Sequence, residues 1–523
     1  MLAVAGAVLI TWVFIGPFRL LLPITSPLNA EGILALSFLL LTLLRPAVAG
    51  EEHLAGAPLP RFALIGSLAG VIAITGLAFL PVINAPLLHD AYVHVWNAAT
   101  GTWSGLAHSF FVHPTTRDFF FRPLGDISYR LVYKLAGTNA VAWNLWNLGI
   151  HLANTCLVWV LARQLTPGRI SAATAALFFG LHGTRPEVVA WVGARFDLLA
   201  SFFVLAALLA LNRYVDAGTR RWYALAGFCA FCAFLSKESA YCLPLLALLL
   251  IPFRERAARR RILRGAALIL FVCTVVLLYR TWLLNGIGGY RTETGAATIF
   301  QFSAVRTIKA LLFRQWAILF FPVNWSSGGL ALKWAMALMV SGAAAFPVYS
   351  NAARRHLSTS LLWVVVAALP VQHLLLIGDN LSGARVLYLP VLGLALFWGL
   401  IVGGRRPGAT GFLLPAAVLA FQLVALEHNL DIWRGVAYLS QRTCKEMGAE
   451  LARDSRNVVV HDLPATWNGV YFLKNGFPQC VALNTGQPID RIAVQEDNPQ
   501  VVTSARRFSW NSLTGRMEED SGR

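Results

Sequence analysis

The sequence predicts an all-α polytopic membrane protein of about 13 transmembrane helices, carrying a small α+β appendage at its C-terminal end. Three observations lead there. Hydrophobic residues make up 57% of the 523 and charged residues only 13%, against about 25% charged in a soluble domain. Apolar runs of about 17 to 25 residues recur, long enough for a hydrocarbon core about 30 Å thick. Short basic loops separate them, which marks a cytoplasmic side and attracts anionic headgroups.

The apolar runs lie near 1–23, 32–49, 62–84, 140–162, 170–183, 188–212, 222–236, 239–252, 265–284, 330–348, 359–377, 386–402 and 410–426. The first has no basic residue ahead of it and no small-residue cleavage site, so it is expected to stay as a span. Basic loops follow at 163–169 (RQLTPGR), 216–222 (DAGTRRW), 253–264 (FRERAARRRILR, six arginines), 351–357 (NAARRHL) and 403–408 (GGRRPG). Alternation puts all five on one face. Ile308–Phe321 is apolar as well, but counting it would move 351–357 across, so an interfacial or re-entrant segment is expected. The opposite face receives a first large loop (85–139), with the aromatic run DFFFRP (118–123) suited to headgroup level. It also receives His182–Pro186, Ser236–Glu238, Asn285–Arg306, Gly378–Arg385 and everything from Glu427. The chain thus divides into a membrane domain (1–426) and an extracytoplasmic tail (427–523). The tail shows a strand-like NVVV (457–460), turn signals at 468–469, 475–476 and 484–486, and an end (515–523) expected to fray. No period of 20–50 residues marks a repeat array.

The net charge of +18 would suit nucleic acid, but it sits in loops between spans and forms no binding footprint. A membrane surface is the expected partner, and no nucleic acid. Arginine outnumbers lysine 37 to 6, as in GC-rich bacterial genomes. Five cysteines (Cys156, Cys229, Cys232, Cys242, Cys273) fall in apolar runs, where the lone C-x-x-C reads as small packing residues. Cys444 and Cys480 lie in the polar tail and form the one candidate disulfide if it faces an oxidising compartment.

Ionisable residues at membrane depth are costly and mark function by default. They gather at the outer ends of spans. His89, Asp90, Tyr92 and His94 follow the 62–84 run. Glu187, Trp191 and Arg195 recur at i, i+4 and i+8 and so share one helix face, with Asp197 within reach of a neighbouring helix. Lys237 and Glu238, then Arg385 and Tyr388, lie near further outer ends. A carboxylate here can act as general base towards a hydroxyl. Arginine and lysine can hold a phosphate and stabilise charge building on it as it leaves. Competing structural readings are a helix cap for Asp90 and a buried ion pair for Glu187 and Arg195. His151, alone on an apolar face, reads as a core histidine. No H-E-x-x-H, Gly-rich phosphate loop or paired C-x-x-C points to a metal, nucleotide sugar or ATP.

The ordered series HDAYVHVWNA, FRPLGDISYRL, NLWNLGIHLANTCLVWVL, ALFFGLHGTRPEVVAWVGARFDLLASFF, LSKESAYCLPLLALLL and ARVLYLPVLGLAL spans residues 84–400. It resembles the transmembrane O-mannosyltransferases with TPR repeats and their bacterial relatives, in the lipid-phosphosugar-dependent C superfamily of glycosyltransferases (GT-C). Its most specific element is H-x-x-x-x-E-V-x-A-W followed by R-x-D-L-L. The resemblance implies a GT-C fold and transfer of a mannose-like sugar from a polyprenyl-phosphate donor to an acceptor protein, lipid or glycan. It places a catalytic acid in the first outer loop, at Asp90, and implies inversion at the anomeric carbon and no obligatory metal. It marks Arg122, His182, Glu187, Arg195, Asp197, Lys237, Glu238, Arg385 and Tyr388 as donor-phosphate or active-site candidates. His89, Tyr92 and His94 remain acceptor or loop candidates. The family often has two adjacent acids where this chain has His89-Asp90, and its TPR repeats are not found here. A multi-pass protein of a bacterial inner membrane, with site and C-terminus extracytoplasmic, is expected. The alternatives are a transporter or flippase of lipid-linked substrates, which would place polar groups at the midplane, and a non-catalytic scaffold.

Overall fold

The computed structural model describes residues 2–19, 23–24, 26–44, 61–111, 120–166, 168–286, 288–289, 303–345, 354–403, 409–494 and 505–520. It is mostly helical, and the expected apolar runs fall on helices. Among the described residues, six helical stretches are long and apolar enough to cross a membrane: Pro27–Leu44, Ala140–Leu165, Val192–Ala217, Arg256–Leu283, Arg354–Leu374 and Leu413–Arg453. Shorter apolar helices include Leu2–Ile15, Phe62–Ala78, Glu238–Leu248, Leu330–Ala343 and Val391–Gly403. With mean hydropathy of +0.61, this is an integral membrane protein. Leu270, Phe271, Leu278 and Trp282 stay exposed on Arg259–Leu283, as lipid contact requires.

Several boundaries move, each for a local reason. The first run ends as helix at Ile15, and the chain turns back through a short antiparallel pairing of Phe18–Arg19 with Pro23–Ile24. Pro27 then opens the second helix, five residues before the expected start at 32, as proline at a first helical turn allows. The expected 188–212 helix does not form as one piece. Pro186–Val189 is a single turn, Val192–Ala194 is 3₁₀, and the long helix begins at Arg195. Glu187, Trp191 and Arg195 therefore do not share one helix face. Gly218, left-handed, closes that helix and starts the return along Arg220–Ser236. Ile308–Phe320 lies in a continuous helical stretch, Ala304–Lys309, a π turn Ala310–Arg314, and Gln315–Phe320, with Phe321 just beyond its end. Its C-terminal half is buried and packs on Pro27–Leu44. Most of the expected outer segment 285–306, the loops at 351–353 and 404–408, and part of the 118–123 aromatic run lie outside the described residues.

In the first large loop, Ala91–Thr100, Trp103–His108 and Pro123–Ala136 are helices. The last membrane helix does not stop near 426. It runs unbroken from Ala409 to Arg453, because polarity rises after Glu427 while helix-forming residues continue. The tail packs around this extension. Its sheet has the order Ile492–Val494, Val458–His461, Arg506–Asn511, Arg516–Glu519, the first three parallel and the last antiparallel. Helix Phe477–Thr485 is the crossover that parallel pairing needs. Thr466–Trp467 and Val470–Tyr471 form a hairpin about Asn468-Gly469, both at positive φ. Arg516–Glu519, expected to fray, is held as a strand on Phe508–Asn511, while 521–523 lie outside the described residues. Cys444 on the long helix is bonded to Cys480 on the crossover helix.

That bond closes a loop of 36 residues, worth about 2–4 kcal/mol in the unfolded-chain picture. The double variant Cys444→Ser/Cys480→Ser should expose the tail to limited proteolysis while cleavage within the membrane helices stays unchanged.

Candidate active site

The site is built on backbone that is not regular helix. Between Gly180 and Arg195 the chain makes only turns and single helical loops, yet it is buried throughout. Buried non-helical backbone in a membrane protein must find partners within the protein. Here side chains from distant helices supply them. Asn429 Nδ2 donates to the Gly183 carbonyl at 2.7 Å, and Gln422 Oε1 accepts from Gly183 N at 3.1 Å. Asn147 Nδ2 donates to Trp191 O at 3.2 Å, and Tyr129 Oη donates to Val192 O at 2.9 Å. Arg195 Nε donates to Asn147 Oδ1 at 2.8 Å, and its guanidinium lies over Tyr129 and Trp143. Arg195 is fully buried and works on this scaffold rather than facing an open site.

The break turns Trp191 towards Asp90. Asp90 occupies the N-cap position of Ala91–Thr100, but its side chain makes no cap bond. Instead Oδ1 accepts from Trp191 Nε1 at 3.0 Å, and Oδ2 lies 3.9 Å from His94 Nε2. The carboxylate is 31% exposed, so one oxygen is oriented and the group remains reachable. A Cβ on Gly193 would collide with Asp90 Oδ1 and lie 2.7 Å from Trp191 Nε1. Glycine in WVGAR is what lets this hydrogen bond form.

Two basic arms flank Asp90. In one, Glu187 Oε1 pairs with Arg385 Nη1 at 2.5 Å, and Glu187 Oε2 accepts from Arg385 N at 3.1 Å. The Arg385 guanidinium lies 4.9 Å from the Trp191 ring centre. Glu187 does not pair with Arg195. In the other, Glu238 takes Arg122 on one oxygen and Arg280 on the other, both at 2.6 Å. One carboxylate between two guanidiniums leaves that trio with a net positive charge. Phe196 joins this arm to Asp90, with Arg122 5.3 Å from its ring centre and His94 5.5 Å. Lys237 pairs with Asp197 at 2.5 Å and feels both Arg122 and Arg385.

The remaining candidates go elsewhere. His182 is buried, its Nε2 donating to Leu319 O at 2.9 Å and its Nδ1 bonded to Thr184. Tyr388 is buried against His151 Nδ1 (2.8 Å) and Asn154 (3.1 Å), so both hold helices together. His151 is the core histidine expected. Tyr92 is buried and faces the tail through Asn484. His89, where a second acid was expected, points to the tail: its Nδ1 donates to Phe472 O at 3.0 Å. Sequence reasoning missed Arg280, Asn147 and Tyr471, whose roles depend on contacts far apart in the chain. The residue pattern held one usable signal, the glycine of WVGAR. Among the described residues no group of three or more His, Cys, Asp or Glu could hold a metal.

Burial pushes the pKa of His89 below the usual histidine value, and so it does for His94. Asp90 opposes the shift in both cases without reversing it. The unfolded chain, with histidine near about 6.5, then binds more protons than the folded one as pH falls through that value. Stability present above it is lost on acidification. Melting in detergent from pH 7.5 to 5 should show a falling Tm, and His89→Asn should make the fall shallower.

Comparison with known proteins adds a family signature. Residues 113–279 match the family model described as dolichyl-phosphate-mannose-protein mannosyltransferase. That stretch holds Arg122, Glu187, Lys237, Glu238 and most of Arg280's helix, but not Asp90 or Arg385. The protein O-mannosyl-transferase Tmtc1 of Drosophila melanogaster is 30% identical over 188 residues, 34% of this chain and 21% of that one. TMTC2 of Mus musculus is 33% identical over 123 residues, 23% of this chain and 15% of its own. The chain thus spans about a fifth or less of the length of these curated relatives. Among solved structures, ArnT from Cupriavidus metallidurans bound to undecaprenyl phosphate aligns with a TM-score of 0.46 and 14% identity. It covers 87% of this chain and 94% of that one. The oligosaccharyltransferase AglB from Archaeoglobus fulgidus, in complex with an inhibitory peptide and a dolichol-phosphate, gives 0.41 and 14%, over 82% and 65%. In sequence, the chain is similar to the protein O-mannosyltransferases.

Proposed function

We propose that this chain is a membrane glycosyltransferase that moves a mannose-like sugar from a polyprenyl-phosphate donor to an acceptor hydroxyl. The observation that carries the reading is Asp90: a reachable carboxylate that makes no cap bond, is oriented by Trp191 and is set between the Arg385–Glu187 pair and the Arg122–Glu238–Arg280 trio. The relatives named above are mannosyltransferases, which supports the choice of sugar. Asp90 takes the proton from the acceptor hydroxyl while that oxygen bonds to the anomeric carbon. The bond from that carbon to the phosphate oxygen breaks, and polyprenyl phosphate leaves with the electron pair. Attack opposite to the leaving group inverts the anomeric carbon.

The charge inventory sorts the basic residues. Arg185, fully buried with Nε donating to Phe179 O at 2.7 Å and its guanidinium over the Phe179 and Tyr388 rings, serves the fold, as does Arg195. Arg122 and Arg280, with only Glu238 between them, are assigned to the departing phosphate, with Arg385 and Lys237 alongside. A phosphate there would balance the excess positive charge in surroundings of low dielectric, where such stabilisation is strongest. The membrane is assigned as a bacterial inner membrane, with the site and tail on its outer face. The disulfide Cys444–Cys480 fits an oxidising compartment. The acceptor is a protein, lipid or glycan hydroxyl. Residues 1–426 are assigned as the membrane catalytic domain and 427–523 as its outer tail.

Two variants test the base. With purified protein and a radiolabelled polyprenyl-phosphate sugar, Asp90→Asn should lower transfer by about a hundredfold or more and leave donor binding intact. Transfer at near wild-type rate would remove Asp90 from the chemistry, and movement of labelled lipid across liposomes without transfer would mean a transporter. Gly193→Ala should displace Asp90 from Trp191 and lower turnover by about a hundredfold, the scale of a 1 Å misplacement, with Tm little changed.

A further inference from the structure

The tail does more than follow the membrane domain. Three of its residues, two in the hairpin turn and one beyond it, anchor it on the membrane domain. Asn468 O accepts from Asn324 Nδ2 at 2.8 Å. Gly469 sits so close to Asn380 that a Cβ there would collide with the Asn380 backbone. Gly476, at φ 93°, brings the chain against His89, where a Cβ would lie 2.6 Å from the His89 carbonyl. Between these anchors, Tyr471 reaches the basic arm: its hydroxyl lies 2.8 Å from Arg385 Nη1, the nitrogen that pairs with Glu187. Its ring lies 5.0 Å from Trp191 and stacks on His89 at 5.3 Å. His89 Nδ1 is bonded to the next residue's carbonyl, at Phe472. Helix Phe477–Thr485 then packs on the Asp90 helix and is tied to the long helix through Cys480.

We infer that Tyr471 is a positioning residue of the site: its hydroxyl fixes the Arg385 guanidinium for the donor phosphate, so the tail is a working part of the transferase. This rests on the assignment of Arg385 to the donor. Arg385 Nη1 is shared between two acceptors, Glu187 Oε1 and Tyr471 Oη. The second holds the guanidinium plane from the side of the tail, over both the Trp191 and Tyr471 rings. Tyr471 touches no reacting atom, so its contribution is expected in donor affinity rather than in the chemical step.

The separating variant is Tyr471→Phe, which keeps the ring stack and removes only the hydroxyl. A hydrogen bond to a charged group is worth about a factor of ten or more. Full-length Tyr471→Phe should therefore raise the KM for the polyprenyl-phosphate sugar about tenfold, with kcat within about twofold of wild type and Tm unchanged. Binding of undecaprenyl phosphate itself, measured without acceptor, should weaken by the same factor. Tyr471→Ala should show the same effect enlarged, with lower Tm as the stack is lost. If wild type binds undecaprenyl phosphate and Tyr471→Phe binds it equally with unchanged KM, the positioning role is wrong while the transferase reading stands. A kcat loss at constant KM and binding would equally overturn it. If wild type neither binds undecaprenyl phosphate nor transfers sugar, the reading beneath it falls, and this inference with it.

Discussion

Everything at the site depends on satisfying the buried backbone between Gly180 and Arg195. A continuous helix there would have paired its own peptide groups and pointed Glu187, Trp191 and Arg195 the same way. The irregular run from Leu181 to Ala194 leaves the carbonyls of Trp191, Val192 and Gly183, which Asn147, Tyr129 and Asn429 take up. Lost hydrogen bonds of this kind cost several kcal/mol each in hydrocarbon, so these polar core residues are as necessary as the apolar packing. Their reward is direction. Glu187 meets Arg385, Arg195 turns into the scaffold, and the Trp191 N–H is delivered to Asp90.

The second organising fact is charge balance. Burying an ion pair is costly unless each partner is well bonded, and the site's anions are. Glu187 has two bonds to Arg385, and Glu238 has a guanidinium on each side. Among the described residues the Arg122–Glu238–Arg280 trio does not close its own count, since Glu238 serves two arginines. A trio with one carboxylate between two guanidiniums favours an anion arriving from the membrane. Asp90 adds the complementary element, a proton acceptor bonded to Trp191 and beside His94, with no arginine or lysine paired to it among the described residues.

The fold was legible where hydrophobicity alone decides it. Runs such as 140–162 and 265–284 become Ala140–Leu165 and Arg259–Leu283, because length and composition suffice for a span. Ends were less legible, since distant side chains set them. Asn144 Nδ2 gathers the carbonyls of Val82, Ile83 and Ala85, which no local pattern announces. The extension to Arg453 was hidden because a change of polarity at Glu427 does not end a helix. At the site, residue types marked Asp90, Lys237, Glu238 and Arg385 as candidates, and the family resemblance added Arg122. They could not show that His182 and Tyr388 are buried in the scaffold, or that His89 serves the tail. Those outcomes are set by pairs such as His89 with Phe472, 383 positions apart.

The most direct measurement is the position of the phosphate in a structure of the full chain with bound polyprenyl phosphate. The account predicts it on the Arg122–Arg280 side of Asp90, within reach of Arg385, with the lipid chain leaving between membrane helices. A phosphate bound instead at the basic loop 253–264, with the Asp90 cleft empty, would contradict it.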